Sequence, residues 1–252
     1  MKVLIACEYS GRVRDAFLAQ GHDALSCDLL PSDAPGPHYQ GDVFDILYDN
    51  NWDLLIAHPP CTYLCSSGLH WNKRTPGRQA LTDESLAFVR RLLSAPIRHI
   101  ALENPIGCIS SQIRKPEQTI QPWQFGEDAS KSTCLWLKNL PPLVPTDIIE
   151  PRWVCCGIPL PEGVGKYGCA NCNGDKKALP RWANQTDSGQ NKLPPSEDRW
   201  KTRSETYHGI ANAMAQQWSR HIETDLQRRV ASNSGSTQPL PKESLFDLVG
   251  SL

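Results

Sequence analysis

Four short β-type runs, each halted by polar residues or proline and separated by helical stretches, constrain the fold of this chain most. Val3-Leu4-Ile5-Ala6 stops at Cys7-Glu8, and Ala24-Leu25-Ser26-Cys27 ends on Asp28. Asp53-Leu54-Leu55-Ile56-Ala57 stops at His58-Pro59-Pro60, and Arg98-His99-Ile100-Ala101-Leu102 stops at Glu103-Asn104-Pro105. Between them, Arg12 to Gln20 carries Val13, Phe17 and Leu18 near one helical face before Gly21, and Thr82 to Leu93 places Leu86, Val89 and Leu92 at helical spacing. Near-continuous apolar runs fit strands buried on both faces. The pattern therefore predicts an α/β fold with a doubly wound, mostly parallel sheet. Ligands in such sheets bind beyond the carboxyl ends of the strands. The residues that halt the runs, Glu8, Asp28, Cys61 and Glu103, are expected along that edge.

The chain has 252 residues and a formal net charge of -1, which excludes a globally basic, histone-like binder but not a local basic groove. No apolar run approaches the ~20 residues that cross a bilayer, and the opening Met1 to Ala6 is too short for a signal-peptide core. A cytoplasmic protein without a membrane partner is expected. Its ten cysteines then read as thiols, nucleophiles or metal ligands before disulfides. Composition changes after about Pro141. The segment 151–203 is dense in Pro and Gly and holds nine Lys or Arg against five Asp or Glu. Tyr207, Ile210, Met214, Trp218 and Ile222 then recur at helical spacing. The expected division is a body formed by 1–150 and 204–230, an insert at 151–203 and a flexible tail at 231–252, ordered at most around Leu245 to Val249.

Cys61 follows Pro-Pro at the end of a strand, on a loop the prolines stiffen. A thiol there is a candidate nucleophile if its proton affinity is lowered, and simply a small buried side chain if not. Glu103-Asn104 ends another strand in the same way, where a carboxyl group can hold a heteroaromatic ring against the thiol. At these residues the chain resembles the DNA cytosine-5 methyltransferases. Ala57-His58-Pro59-Pro60-Cys61 is similar to their nucleophile motif, with His58 in place of the usual Gly, and Leu102-Glu103-Asn104-Pro105 to their Glu-Asn motif. Cys7-Glu8-Tyr9-Ser10-Gly11 stands where the family has its first cofactor loop, without the usual second glycine. Asp28 stands where an acid holds ribose hydroxyls, and Gly41-Asp42-Val43 matches the segment at the adenine. Gly209-Ile210-Ala211-Asn212-Ala213 is similar to the helix that completes the cofactor pocket. Lys131, in Ser130 to Leu137, is the nearest counterpart of a basic strand motif.

The resemblance implies a doubly wound sheet of the S-adenosylmethionine-dependent methyltransferase type, in a compact form like phage- or prophage-encoded members, with a restriction-modification or protective role. It implies double-stranded DNA as partner and S-adenosyl-L-methionine as cofactor, held by Cys7, Glu8, Tyr9, Ser10, Gly11, Asp28, Asp42, Pro59 and Asn212. It also implies attack by Cys61 on a flipped-out cytosine, with Glu103, Asn104 and Lys131 around the ring. Two rivals stand beside it. Amino methylation at cytosine N4 or adenine N6 uses a Pro-Pro loop with an aromatic residue after it, where this chain has Cys. A catalytically inactive DNA-binding homologue fits the weak cofactor loop.

The insert occupies the place of the family's target-recognition region. So short a segment needs a staple. Cys155, Cys156, Cys169 and Cys172 are read as a structural zinc site, although adjacent side chains diverge in an extended chain; three cysteines with a distant ligand, or no metal, are the alternatives. The insert would present Lys166, Lys176, Lys177, Arg181 and Trp182 to DNA, with His58 as a further contact or a tuner of the thiol. A solvated basic loop is the plainer reading. Cys65, four residues beyond Cys61, leaves a redox or metal pair open. Nothing points to an obligate protein partner, and a monomer is expected.

Overall fold

The computed structural model describes residues 1–48, 51–161, Cys169, Cys172, 176–197 and 199–234, with side chains as far as residue 230. The body runs β1 (Lys2–Ala6), α1 (Arg12–Ala19), β2 (Asp23–Asp28), β3 (His38–Gln40), β4 (Leu54–Ala57), α2 (Ser66–Leu69), α3 (Arg78–Leu93), β5 (His99–Pro105), α4 (Ile109–Gln112), β6 (Gln118–Ile120) and β7 (Thr133–Lys138). The insert adds β8 (Arg152–Cys155), β9 (Ile158–Pro159) and β10 (Leu179–Arg181), and the chain returns through α5 (Arg199–Ser204) to α6 (His208–Ser234).

The main sheet has seven strands in the order β3-β2-β1-β4-β5-β7-β6. β3, β2, β1, β4 and β5 pair in parallel, whereas β7 runs antiparallel to both β5 and β6. This is the doubly wound, Rossmann-like sheet expected from the buried runs, with a reversed hairpin at one edge. Alternate strand residues face opposite cores. Val3, Ile5, Leu54 and Ile56 pack with Val13 and Phe17 of α1 and with Ile210, Met214 and Trp218 of α6. Leu4, Leu55, Ile100 and Leu102 pack with Leu86, Val89 and Leu92 of α3. The insert forms a separate antiparallel sheet, β10-β8-β9.

The elements depart from expectation in three places. β5 does not stop at Leu102 but continues through Pro105, because Glu103, Asn104 and Pro105 pair with Leu135, Cys134 and Thr133 of β7. α3 begins at Arg78 rather than Thr82, after Gly77 at φ 77°. α6 continues through Ser234, past the expected start of the tail; Leu245 to Val249 lies outside the described residues. None of the described helices is long and apolar enough to cross a membrane.

Buried Arg14 organises the loop between β2 and β3. Its guanidinium donates to Ser26 and Ser32 Oγ and to the carbonyls of Ala34 and Pro35. Gly11 makes room for it: φ is +74°, and a Cβ there would lie 2.4 Å from Arg14 Nη2.

Candidate active site

The carboxyl ends of β1, β4 and β5 bring three loops together. His58-Pro59-Pro60-Cys61 leaves β4, and Asn104 at the end of β5 donates from Nδ2 to the Pro59 carbonyl at 2.7 Å. Beyond the thiol the chain turns back, with Leu64 and Cys65 N–H donating to the Cys61 carbonyl. A strap from β5 fixes this turn: Cys108 N–H donates to Leu64 O at 2.8 Å, and Ser66 N–H to Ile106 O at 3.0 Å. Gly107 lies against the turn, and a Cβ there would fall 1.9 Å from Leu64 O.

Cys61, Glu103, Asn104, Lys131 and His58 line one small cavity of about 80 Å³, together with Cys7 to Ser10, Pro59 and Pro60. The four residues expected around the ring are thus gathered in one place. Arg203, counted from sequence only among the insert's basic residues, joins them, as do Ser204 to Thr206. Lys131 Nζ donates to Glu205 O at 3.3 Å. His58 Nδ1 lies 3.0 Å from Glu103 Oε2, with side chains only 8% and 12% exposed. Burial raises the proton affinity of Glu103, but the His58 hydrogen bond and the Lys131 charge outweigh it, and the carboxyl lies below its usual range. His58 Nε2 and Asn104 Oδ1 are buried without a hydrogen-bond partner. Orphaned polar atoms beside a cavity suit a polar ring that supplies their partners.

Cys61 does not stand alone. The neighbouring Cys65 thiol interacts with it, and this interaction, then burial, pushes the Cys61 proton affinity up. Cys65 is lowered to about 5, by the same interaction and against burial, with help from Ser67 Oγ at 3.2 Å, the Gly68 N–H and the Arg203 charge. The two sulfurs are strongly coupled, so the pair gives up its first proton more readily than a lone thiol does.

A second cavity, of about 330 Å³, adjoins the first through Cys7, Pro59 and Pro60. Asp28 and Asp42 line it with Leu29, Val43, Leu64 and Phe88. Its volume suits a small-molecule ligand, and two carboxylates on apolar walls suit a nucleoside with ribose hydroxyls. Burial raises the Asp28 carboxyl, while Oδ1 accepts the Leu30 N–H at 3.0 Å. Asp42 Oδ1 accepts the Phe44 N–H, capping the turn Val43–Asp45.

Other expected cofactor residues have structural duties. Glu8 is buried, and its carboxylate accepts the N–H groups of Val13 (2.6 Å) and Arg14 (3.2 Å), capping α1. Tyr9 donates to Lys201 O and lies 2.9 Å from Ser204 Oγ, tying β1's loop to α5. Asn212 is exposed on α6 and lines neither cavity.

The basic insert divides likewise. Trp182 is 9% exposed and stacks on Trp123 at 5.4 Å, so its ring docks the insert onto the body. Arg181 is tied to Asp187 O and its own Pro180 O. Lys176 and Lys177 are exposed, and Lys166 lies outside the described residues. A second aromatic-basic surface, which the sequence reading left out, follows the Cys61 turn: Trp71 is 48% exposed, beside His70 and under the Arg74 guanidinium.

The Sγ atoms of Cys155, Cys156, Cys169 and Cys172 all lie within 4.8 Å of one another. Cys155 and Cys172 are 3.6 Å apart, and Cys169 and Cys172 3.8 Å. Four sulfurs about 2.3 Å from one ion have this spacing. Cys156 adopts φ 54° and Gly157 φ 77°, a tight turn that folds adjacent sulfurs toward one centre. The divergence expected of neighbouring cysteines is thereby removed.

No protein-family model matches the chain, and no curated protein does. Among solved structures, it is similar to one from E. coli described as a DNA modification methyltransferase encoded within prophage Cp. Identity is 16% and the TM-score 0.41, over 59% of this chain. The match spans about half of that protein, 52% of its length.

Proposed function

We propose that the chain methylates DNA at C5 of a flipped-out cytosine, through a covalent bond from Cys61 to C6. One observation carries this reading: a thiol and a carboxyl group, each at the carboxyl end of a parallel strand, line one cavity, and a larger nucleoside-sized cavity opens beside it. S-Adenosylmethionine, when bound, supplies an electrophilic methyl group. Asp28 and Asp42 would hold its ribose and adenine, with Val43 and Phe88 as the apolar wall. Pro59 and Pro60, common to both cavities, form the partition across which the methyl group meets the base.

The residues perform the remaining steps. When the proton the pair shares sits on Cys65 Sγ, Cys61 Sγ is the thiolate and bonds to C6. Glu103, protonated as the base is captured, gives that proton to N3 as charge develops there, and C5 becomes nucleophilic. Once C5 is methylated, N3 returns its proton to Glu103, a water takes the C5 proton, and the C6–S bond breaks to release Cys61 as a thiolate. Lys131 and Arg203 give the cavity two cations suited to the phosphates of an extruded nucleotide. The four cysteines would hold a structural zinc, with no open position for chemistry. Trp71, Arg74 and the exposed insert lysines add cations and aromatic surface for the duplex.

Labelled S-adenosylmethionine and duplex DNA, followed by digestion to nucleosides, test the reading. The expected product is 5-methyldeoxycytidine, lost in Cys61→Ser. Label on N4 of cytosine or N6 of adenine favours amino methylation; DNA retention without label favours an inactive binder.

A further inference from the structure

We infer that His58 is a positioning residue that assigns the proton of Glu103 to the oxygen facing the base, and so makes the site select its pyrimidine by the proton at N3. The inference rests on the cytosine-5 reading and deepens it.

His58 Nδ1 and Glu103 Oε2 are 3.0 Å apart, both side chains nearly buried. An ionised carboxylate only accepts, so Nδ1 carries the hydrogen. An oxygen that accepts this N–H is not the one that bears a proton. While Nδ1 keeps that hydrogen, a proton taken up by Glu103 goes to Oε1, and Glu103 lines the cavity where a ring can meet it. The other ring nitrogen, Nε2, has no hydrogen-bond partner. The charged and titratable groups around the pair come from every side. Buried Glu8, from the loop after β1, interacts with His58. Lys131, ahead of β7, and Cys61, beyond β4, interact with Glu103. Cys7 and Arg203 close the cavity.

Two pyrimidines meet this arrangement differently. Cytosine has a lone pair at N3 and needs a proton on Oε1. A uracil-type ring has an N–H at N3, which ionised Glu103 accepts directly. Capture of cytosine thus takes up one proton onto Oε1. On attack by Cys61 that proton moves to N3, and Glu103 returns to the carboxylate that His58 holds. Uracil needs no such uptake.

The test uses the full chain with S-adenosylmethionine and two randomised duplex pools, one with 5-fluorocytosine for cytosine and one with 5-fluorouracil for thymine. Adduct formation is followed on denaturing gels against pH. With 5-fluorocytosine the wild-type rate has a limb that falls as pH rises; with 5-fluorouracil this limb is absent. His58→Ala removes a partner of the carboxylate, raises the proton affinity of Glu103, and moves the limb upward by roughly one pH unit. His58→Asn, whose amide N–H can stand near Nδ1, keeps the limb near its wild-type place. An even loss of rate at every pH in His58→Ala with an unmoved limb, or the same falling limb with both pools, overturns the inference and leaves the cytosine-5 reading intact. No wild-type adduct with either pool overturns both.

Discussion

At the residue scale, the site turns on who holds two protons. Cys65 is coupled to the Cys61 thiol, and His58 and Lys131 hold the Glu103 carboxyl below its usual range. Iodoacetamide should therefore alkylate Cys65 ahead of Cys61. Its rate should be flat around neutral pH and fall as pH drops through about 5, because the thiol re-forms there; peptide mass spectrometry reads this directly. Cys65→Ala leaves Cys61 without its proton acceptor, and methyl transfer should drop by roughly 10²-fold with the thermal midpoint little changed. Cys61, Glu103 and Asn104 were legible because each ends a strand in a proline-marked motif. Cys65 and Arg203 were not, since one needs the turn after Cys61 and the other the return of α5 to the sheet edge. Asn212 was misleading in the opposite way: its motif resembles a pocket-completing helix, yet α6 packs Ile210, Met214 and Trp218 inward and leaves Asn212 in solvent.

At the element scale, strand ends and straps place the chemistry. The parallel half of the sheet was readable from apolar runs with stiff stops. The hairpin β6–β7 was harder, because reversal of a strand is written in pairing, not in its own sequence; Glu103, Asn104 and Pro105 opposite Leu135, Cys134 and Thr133 reveal why β5 runs on. Gly107 makes the strap testable. Gly107→Ala drives a methyl group into Leu64 O. It should cost about 1–3 kcal/mol in urea unfolding and lower methyl transfer more steeply than stability alone explains, since the displaced turn carries both thiols. Cys156 supplies the corresponding lesson in the insert. Extended geometry argued against adjacent ligands, and a left-handed residue at the turn reverses that argument.

At the scale of the whole molecule, the sheet edge holds two adjoining cavities, and the insert is attached to the body through Trp182 on Trp123 and through Asn184, which bonds Ser130 in both directions. If the cysteines hold zinc, purified protein contains about one zinc per chain. Chelation should then open 151–197 to protease while the seven-stranded body stays folded, and Cys172→Ser should mimic it. The central claim, a bond between Cys61 and a cytosine ring, is tested most directly by trapping. Full-length protein is incubated with S-adenosylmethionine and duplex DNA carrying 5-fluorocytosine, denatured, and mapped by peptide mass spectrometry. The expected result is a nucleotide adduct on Cys61 that vanishes in Cys61→Ser. Undiminished methylation of ordinary DNA by Cys61→Ser, or an adduct on any other residue, would contradict it.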